Sequence, residues 1–306
     1  MKTGRRQRAR AALAVALLAL SSGALLADEL PAALYQDPAP DAAHPASTQA
    51  VQFESHGGLL NAEVFRPGGA GPHPTAILFH GLPGNDQTLD IAYVMRRAGW
   101  TVVTFHYTGS WGSAGKFTLR RGVEDAAALI HTMQRPEIAA AWGTDPKRLI
   151  LIGHSYGGYV AACAAAYAPG LQGVVLLTPW DISTDYRQWH ALGHAAAMKA
   201  GAENYDDVDG RLAGTNHELL TRETLEHGFE FDLSKQAAAL AAHPVLVITA
   251  TRDSEDDQAG TLLQALHAIP AAQLTAQVIE TDHSFSDQRI ALQATVVRWV
   301  AALRMM

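Results

Sequence analysis

The chain has 306 residues, 48% hydrophobic and 17% charged, with a formal charge of −7. That composition can fill a large buried core and excludes disorder along most of the length. The net acidity argues against nucleic acid or an anionic membrane as a partner.

The first 27 residues have the pattern of a cleaved signal peptide. Lys2, Arg5, Arg6, Arg8 and Arg10 form a basic start, followed by apolar residues from Ala11 to Leu20 and a small-residue exit through Ala24-Leu25-Leu26-Ala27. The apolar run is shorter than the roughly 20 residues that span a bilayer, so no stable membrane insertion is expected after cleavage. Arg8 and Ala9 sit where a twin-arginine signal has an apolar pair, which favours ordinary secretion to the periplasm or beyond. Losing the five basic residues takes the formal charge from −7 to −12. Cys163 is the only cysteine, so no internal disulfide forms, and its Ala-rich setting reads as a buried small apolar residue.

Residues 28–50 are rich in Ala and Pro without apolar periodicity and read as a linker or loosely packed arm. From residue 51 to 306 the spacing predicts one α/β domain. Val51–Ser55 and Leu60–Arg66 flank His56-Gly57-Gly58 as an opening hairpin. Compact apolar runs follow at Thr75–Phe79, Thr101–Tyr107, Leu149–Gly153, Gly173–Leu177, Pro244–Ala250 and Gln273–Glu280. Helical spacing lies between most of them, at Leu89–Ala98, Val123–Gln134, Tyr156–Ala168 and Thr261–Ala268. Strand alternating with helix implies a mostly parallel central sheet flanked by helices. Residues 181–242 break the rhythm, and an unstructured loop of about sixty residues is unusual in a compact domain, so they predict a helical cap inserted between late strands.

The strongest chemical signal is Gly153-His154-Ser155-Tyr156-Gly157-Gly158, a G-x-S-x-G nucleophile elbow between an apolar run and a helix-like stretch. A sharp turn would hold Ser155 in a strained conformation and push its hydroxyl out at a helix N-terminus. A serine hydroxyl needs a base, and His283 follows the last strand-like run. The acid belongs on the turn after the preceding strand, where Asp253 stands nearest the strand end and Glu255, Asp256 and Asp257 follow. It would hold the imidazole tautomer and stabilise the imidazolium. His80-Gly81-Leu82-Pro83-Gly84 follows a strand, and the backbone N–H groups of Leu82 and Tyr156 are the candidate oxyanion donors. Arg96 and Arg97 read as solvated face residues. No metal-ligand spacing of His or Cys appears, and this chemistry needs no cofactor.

Together these residues resemble the α/β-hydrolase superfamily across nearly all of the chain after the linker. The segment Gly153–Tyr159 is similar to the prolyl-oligopeptidase-like branch, as is the loop His106–Ser113 with Glu124-Asp125 at a helix start. The resemblance implies hydrolysis of esters or amides through an acyl-enzyme. Oligopeptidases of that branch carry a β-propeller ahead of the hydrolase. Here about fifty residues precede it, and Glu203, Asp206, Asp207 and Asp209 of the cap read as a solvated acidic loop rather than a peptide anchor.

The reading that follows is an exported serine hydrolase acting on a small carboxylic ester. A small-peptide or amide hydrolase is the nearest alternative, and a non-catalytic binding protein on the same scaffold is the alternative of another class. Trp111, Trp180, Tyr186 and Trp189 are candidates for lining a substrate pocket, with Tyr205 beside them. Such aromatics equally make a cap's own core.

Overall fold

A computed structural model describes residues 29–168, 170–253 and 258–303. The expected leader, residues 1–27, lies outside them, as do Glu255, Asp256 and Asp257. Residues 1–30 and 31–306 form separate units, and the architecture below is that of the second.

In chain order the elements are β1 (Ser47–Ser55), β2 (Gly58–Arg66), β3 (His73–Phe79), α1 (Leu89–Arg97) and β4 (Thr101–Phe105). Next come α2 (Leu119–Met133), α3 (Pro136–Trp142), β5 (Thr144–His154), α4 (Tyr156–Ala164) and β6 (Leu171–Leu177). A helical insertion follows, with α5 (Ile182–Leu192), α6 (His194–Asn204), α7 (His217–His227) and α8 (Ala237–Leu240). The chain then returns through β7 (Pro244–Ala250), α9 (Gly260–His267), β8 (Gln273–Ile279) and α10 (Arg289–Leu303). The strands form one sheet in the order β1-β2-β4-β3-β5-β6-β7-β8, antiparallel at β1/β2 and β2/β4 and parallel elsewhere.

Successive side chains of a strand point to opposite faces. In β5, Leu149 and Leu151 enter one core while Ile150 and Ile152 enter the other. In β6, Val174 and Leu176 oppose Val175 and Leu177 in the same way. A central strand covered on both faces needs apolar residues at every position, which is why these segments read as unbroken apolar runs. Leu129 and Met133 of α2 and Val160 of α4 cover one face. Ile91, Val94 and Met95 of α1, with Leu292, Val296 and Val300 of α10, cover the other. Parallel strands send their C-terminal ends to one edge, where α/β sheets place their ligands.

The insertion at 181–242 is helical, as the sequence predicts, and its entry is pinned. The buried Asp181 carboxylate accepts from Ser183 N (3.1 Å), Leu233 N (3.3 Å) and Thr261 Oγ1 (3.0 Å), which ties the start of the cap to its exit and to α9.

Three features differ from the sequence reading. First, β1 begins at Ser47 rather than Val51, because an edge strand with both faces largely exposed shows no apolar alternation. Second, the arm ahead of it is docked, since Ala33 and Leu34 pack on the second core and Arg97 Nε donates to the Ala33 carbonyl. Arg97 and Arg96 (over the Tyr93 ring and bonded to Thr48) are therefore more than solvated residues. Third, α3 and α10 were not anticipated, although Pro136 at the first turn and the left-handed Gly143 (φ 68°) are the usual boundary signals of a helix.

Glu124 and Asp125 lie a turn and more inside α2 rather than at its start. Asp125 is fully buried, and its carboxylate accepts from Ser55 Oγ (2.6 Å), Thr108 N (2.7 Å) and Thr108 Oγ1 (2.8 Å). Burial nevertheless pushes its carboxyl above the usual range, against the pull of those donors. Asp125→Ala strands three buried donors and is expected to cost about 3 kcal/mol or more in denaturant unfolding. Glu124→Ala, which removes only a half-exposed contact with His56, is expected to stay within about 0.5 kcal/mol.

Candidate active site

Ser155 sits between the last residue of β5 and the first of α4, with φ 55° and ψ −121°. A non-glycine residue in that conformation is strained, and the surrounding glycines show what holds it. A methyl on Gly153 would fall 2.0 Å from the Gly157 carbonyl oxygen, and one on Gly157 would fall 2.0 Å from that of Phe79. A methyl on Gly158 would meet Pro179 Cα at 2.8 Å. Only glycine fits this crossing of β5, α4 and β3. The turn is also hydrogen-bonded, with Ser155 N donating to Leu177 O (2.9 Å) and Ser155 O accepting from Gly158 N (2.8 Å) and Trp180 N (3.0 Å). From Leu151 to Val160, Ser155 alone is not buried.

His283 lies on the loop after β8, and its Nδ1 is 2.9 Å from Asp253 Oδ2 on the loop after β7. Backbone bonds from Thr251 N to Ile279 O (3.0 Å) and from Arg252 N to Thr281 O (2.8 Å) lace the two loops together. The other acids of the His283 loop do different work. Asp282 accepts from Ser286 N (2.8 Å), and Asp287 takes Thr281 Oγ1 and pairs with Arg252. Asp253 is thus the acid whose position meets the imidazole. A carboxylate only accepts, so Nδ1 carries the proton of that bond whenever the pair is formed.

The loop after β3 abuts the elbow, since a methyl on Gly81 would lie 3.3 Å from Ser155 Cβ. His80 Nδ1 is 2.7 Å from Gly81 O, so this nitrogen carries the hydrogen and the carbonyl accepts. The Gly81–Leu82 peptide is trans, and in a trans unit C=O and N–H point in opposite directions. Anchoring the Gly81 carbonyl to His80 therefore turns the Leu82 N–H away from His80. Among the described residues neither Leu82 N–H nor Tyr156 N–H has an acceptor. The Tyr156 N–H is one of the donors that a helix start leaves unsatisfied. The Tyr156 side chain is occupied elsewhere, buried and donating to Leu119 O (2.7 Å).

The aromatic candidates divide. Trp180 and Trp189 are buried and pack edge-on against buried Tyr205, with Trp180 Nε1 donating to Asp185 Oδ2 (2.7 Å). They pack in a buried core continuous with one face of the sheet. Tyr186 is half-buried against His190 and Phe229 of the cap. Trp111 is 43% exposed, and its Nε1 donates to Pro83 O (2.8 Å) in the loop beside Ser155. Trp111 is joined to the loop after β3 through its side chain, whereas Trp180 meets the elbow through its backbone N–H on Ser155 O and its ring edge on Tyr156. Cys163 is buried and free, and burial pushes its thiol up to about 12, which leaves it inert.

Two neighbouring imidazoles escaped the sequence reading. His154 and His80 are buried, and burial brings each down to about 4. His154 was legible only as the variable position of the elbow, and His80 only as part of a glycine turn.

The sequence pattern of the α/β-hydrolase fold matches residues 90–286. This chain belongs to the α/β-hydrolase family. Among solved structures it is similar to Est1E from Butyrivibrio proteoclasticus with ferulic acid bound, at 15% identity and TM-score 0.62, over 84% of this chain and 100% of that one. It is also similar to Pyrococcus horikoshii acylaminoacyl peptidase, at 17% identity and TM-score 0.59, over 83% of this chain and 41% of the peptidase. A 2,6-dihydroxy-pseudo-oxynicotine hydrolase matches at 17% identity and TM-score 0.62, over 84% and 68% of the two chains. At such identities the likeness is one of fold.

The two buried histidines set a pH dependence of stability. Their folded values near 4 lie below the ordinary 6.5, so between these limits the unfolded chain binds more protons. The contribution of these two groups is therefore complete above about pH 6.5 and is lost as pH falls toward 4, by about 3 kcal/mol for each imidazole. Melting temperature is expected to fall steeply between pH 6.5 and 4.5. In His154→Phe that slope should be reduced, with His73 and His106, also lowered by burial, still contributing, and an unchanged slope would show that His154 is not buried neutral.

Proposed function

We propose that this chain is an exported serine hydrolase that cleaves small carboxylic esters through an acyl-enzyme. The observation that carries this reading is the 2.9 Å His283–Asp253 contact on loops that end at the edge of the sheet where Ser155 is held in its elbow. Ser155 Oγ attacks the acyl carbonyl as His283 takes its proton at Nε2, the Nδ1 side being committed to Asp253. Asp253 stabilises the imidazolium that results. The Leu82 and Tyr156 N–H groups bind the oxyanion, and the partial positive charge of the α4 N-terminus adds to the effect. His283 then protonates the departing alkoxide, and water repeats the sequence on the acyl-enzyme.

Preference for an ester over a peptide rests on the cap. Of its acids, Glu203, Asp207 and Asp209 sit in surface contacts with Lys199, Arg211 and His217, which favours a solvated acidic surface over an anchor for a peptide amino terminus. Export rests on the leader sequence, and mass spectrometry of the secreted product is expected to find a chain starting at Asp28.

Steady-state kinetics on a panel of aryl and alkyl esters, with matched aminoacyl anilides, test the assignment. Ser155→Ala is expected to lose at least about 10⁴-fold in kcat without loss of fold. Asp253→Asn should lose about 10³- to 10⁴-fold, while Asp256→Asn and Asp257→Asn keep nearly full activity. Full turnover in Ser155→Ala would overturn the mechanism. Anilide turnover matching that of the esters would make the protein an amide hydrolase with the same machinery.

A further inference from the structure

The imidazole of His154, the residue before Ser155, reaches the loop that carries the base. Its Nε2 is 2.9 Å from the His283 carbonyl oxygen, and the two rings lie with centroids 5.0 Å apart. Because a carbonyl only accepts, Nε2 carries the hydrogen, which fixes the tautomer and leaves a lone pair on Nδ1. That Nδ1 is packed against the oxyanion loop, where a methyl on Gly81 would lie 3.3 Å away. The same His283 carbonyl accepts from Thr178 Oγ1 (3.1 Å) at the end of β6. Buried Phe285, itself in the left-handed region (φ 55°), lies 6.4 Å from the His154 ring and completes the packing.

The His283 ring is thus held at both ends. Asp253 fixes the ring nitrogen, while His154 and Thr178 fix the backbone from which the ring hangs. Both donors are side chains, His154 at the end of β5 and Thr178 just after the neighbouring β6, whereas His283 follows β8 at the far edge of the sheet. Without such a link, the base and the nucleophile would belong to separately moving loops. A shift of about 1 Å between reacting groups can cost 10²-fold in rate.

We infer that His154 is a positioning residue, which sets the base against the nucleophile through its Nε2–H bond to the His283 carbonyl. This rests on the serine-hydrolase reading above and extends it to a residue outside the triad. Its position within the elbow makes the link rigid, since the backbone that strains Ser155 also aims the imidazole.

The test is kinetic and uses the whole exported chain. His154→Phe keeps the ring volume and loses the donor, whereas His154→Gln returns an amide N–H to nearly the same place. His154→Phe is expected to lower kcat about 10- to 100-fold with KM within about twofold, and to move the acidic limb of the kcat/KM profile that reports the base. His154→Gln should recover most of kcat and the original limb. Thr178→Val, which deletes the second donor on a conservative side chain, should lose about threefold in kcat. Equal damage in the Phe and Gln variants, or unchanged kcat in folded His154→Phe or in Thr178→Val, would overturn the inference. These outcomes leave the serine reading standing so long as Ser155→Ala is dead. Turnover in Ser155→Ala would remove both.

Discussion

The architecture depends on one steric constraint, the crossing of β5, α4 and β3 at the elbow. Gly157 lies so close to the Phe79 carbonyl that a single methyl would sit 2.0 Å from its oxygen, far inside van der Waals contact, and Gly153 stands in the same relation to Gly157. That closeness forces the turn to be sharp and leaves Ser155 with a positive φ. Strain of this kind costs of order 1–3 kcal/mol, and the two fully covered cores of the sheet offset it. The consequence is chemical. The one residue of the turn that escapes burial carries a hydroxyl, at a helix N-terminus.

Around that point polar groups are arranged in layers. Asp253 and His283 meet through side chains. Behind them, neutral buried imidazoles act through backbone, His80 on the Gly81 peptide and His154 on the His283 carbonyl. Their neutrality matters for function as well as stability. In the proposed mechanism a cation at His154 would repel the imidazolium formed at His283, and burial of His154 opposes that charge. Farther out, Asp125 and Asp181 tie the strand-exit loop and the cap to the scaffold with buried carboxylates that accept several donors each.

Much of this was legible in the sequence for physical reasons. Strands covered on both faces read as unbroken apolar runs, so β3 to β7 were found within a few residues. The glycines of the elbow announced a turn that only glycine permits, and Asp253 and His283 stood at strand ends. Other features were silent. The first residues of β1 lack alternation because an edge strand is wet on both sides. His154 and His80 are ordinary letters until tertiary contacts give each a carbonyl to hold. The cap aromatics Trp180, Trp189 and Tyr205 could have lined a pocket or filled a core, and only packing against one another decided between them. In sequence Asp125 is one acid beside another. Burial and three donors separate it from Glu124.

The central claim is that Ser155 is a nucleophile activated by His283. Peptide-level mass spectrometry of the folded protein after brief exposure to a fluorophosphonate tests it most directly. The account predicts one adduct, on Ser155, formed rapidly in the native protein and lost in His283→Ala. Absence of the adduct in the folded, unmodified protein, or an adduct on another residue, would contradict it.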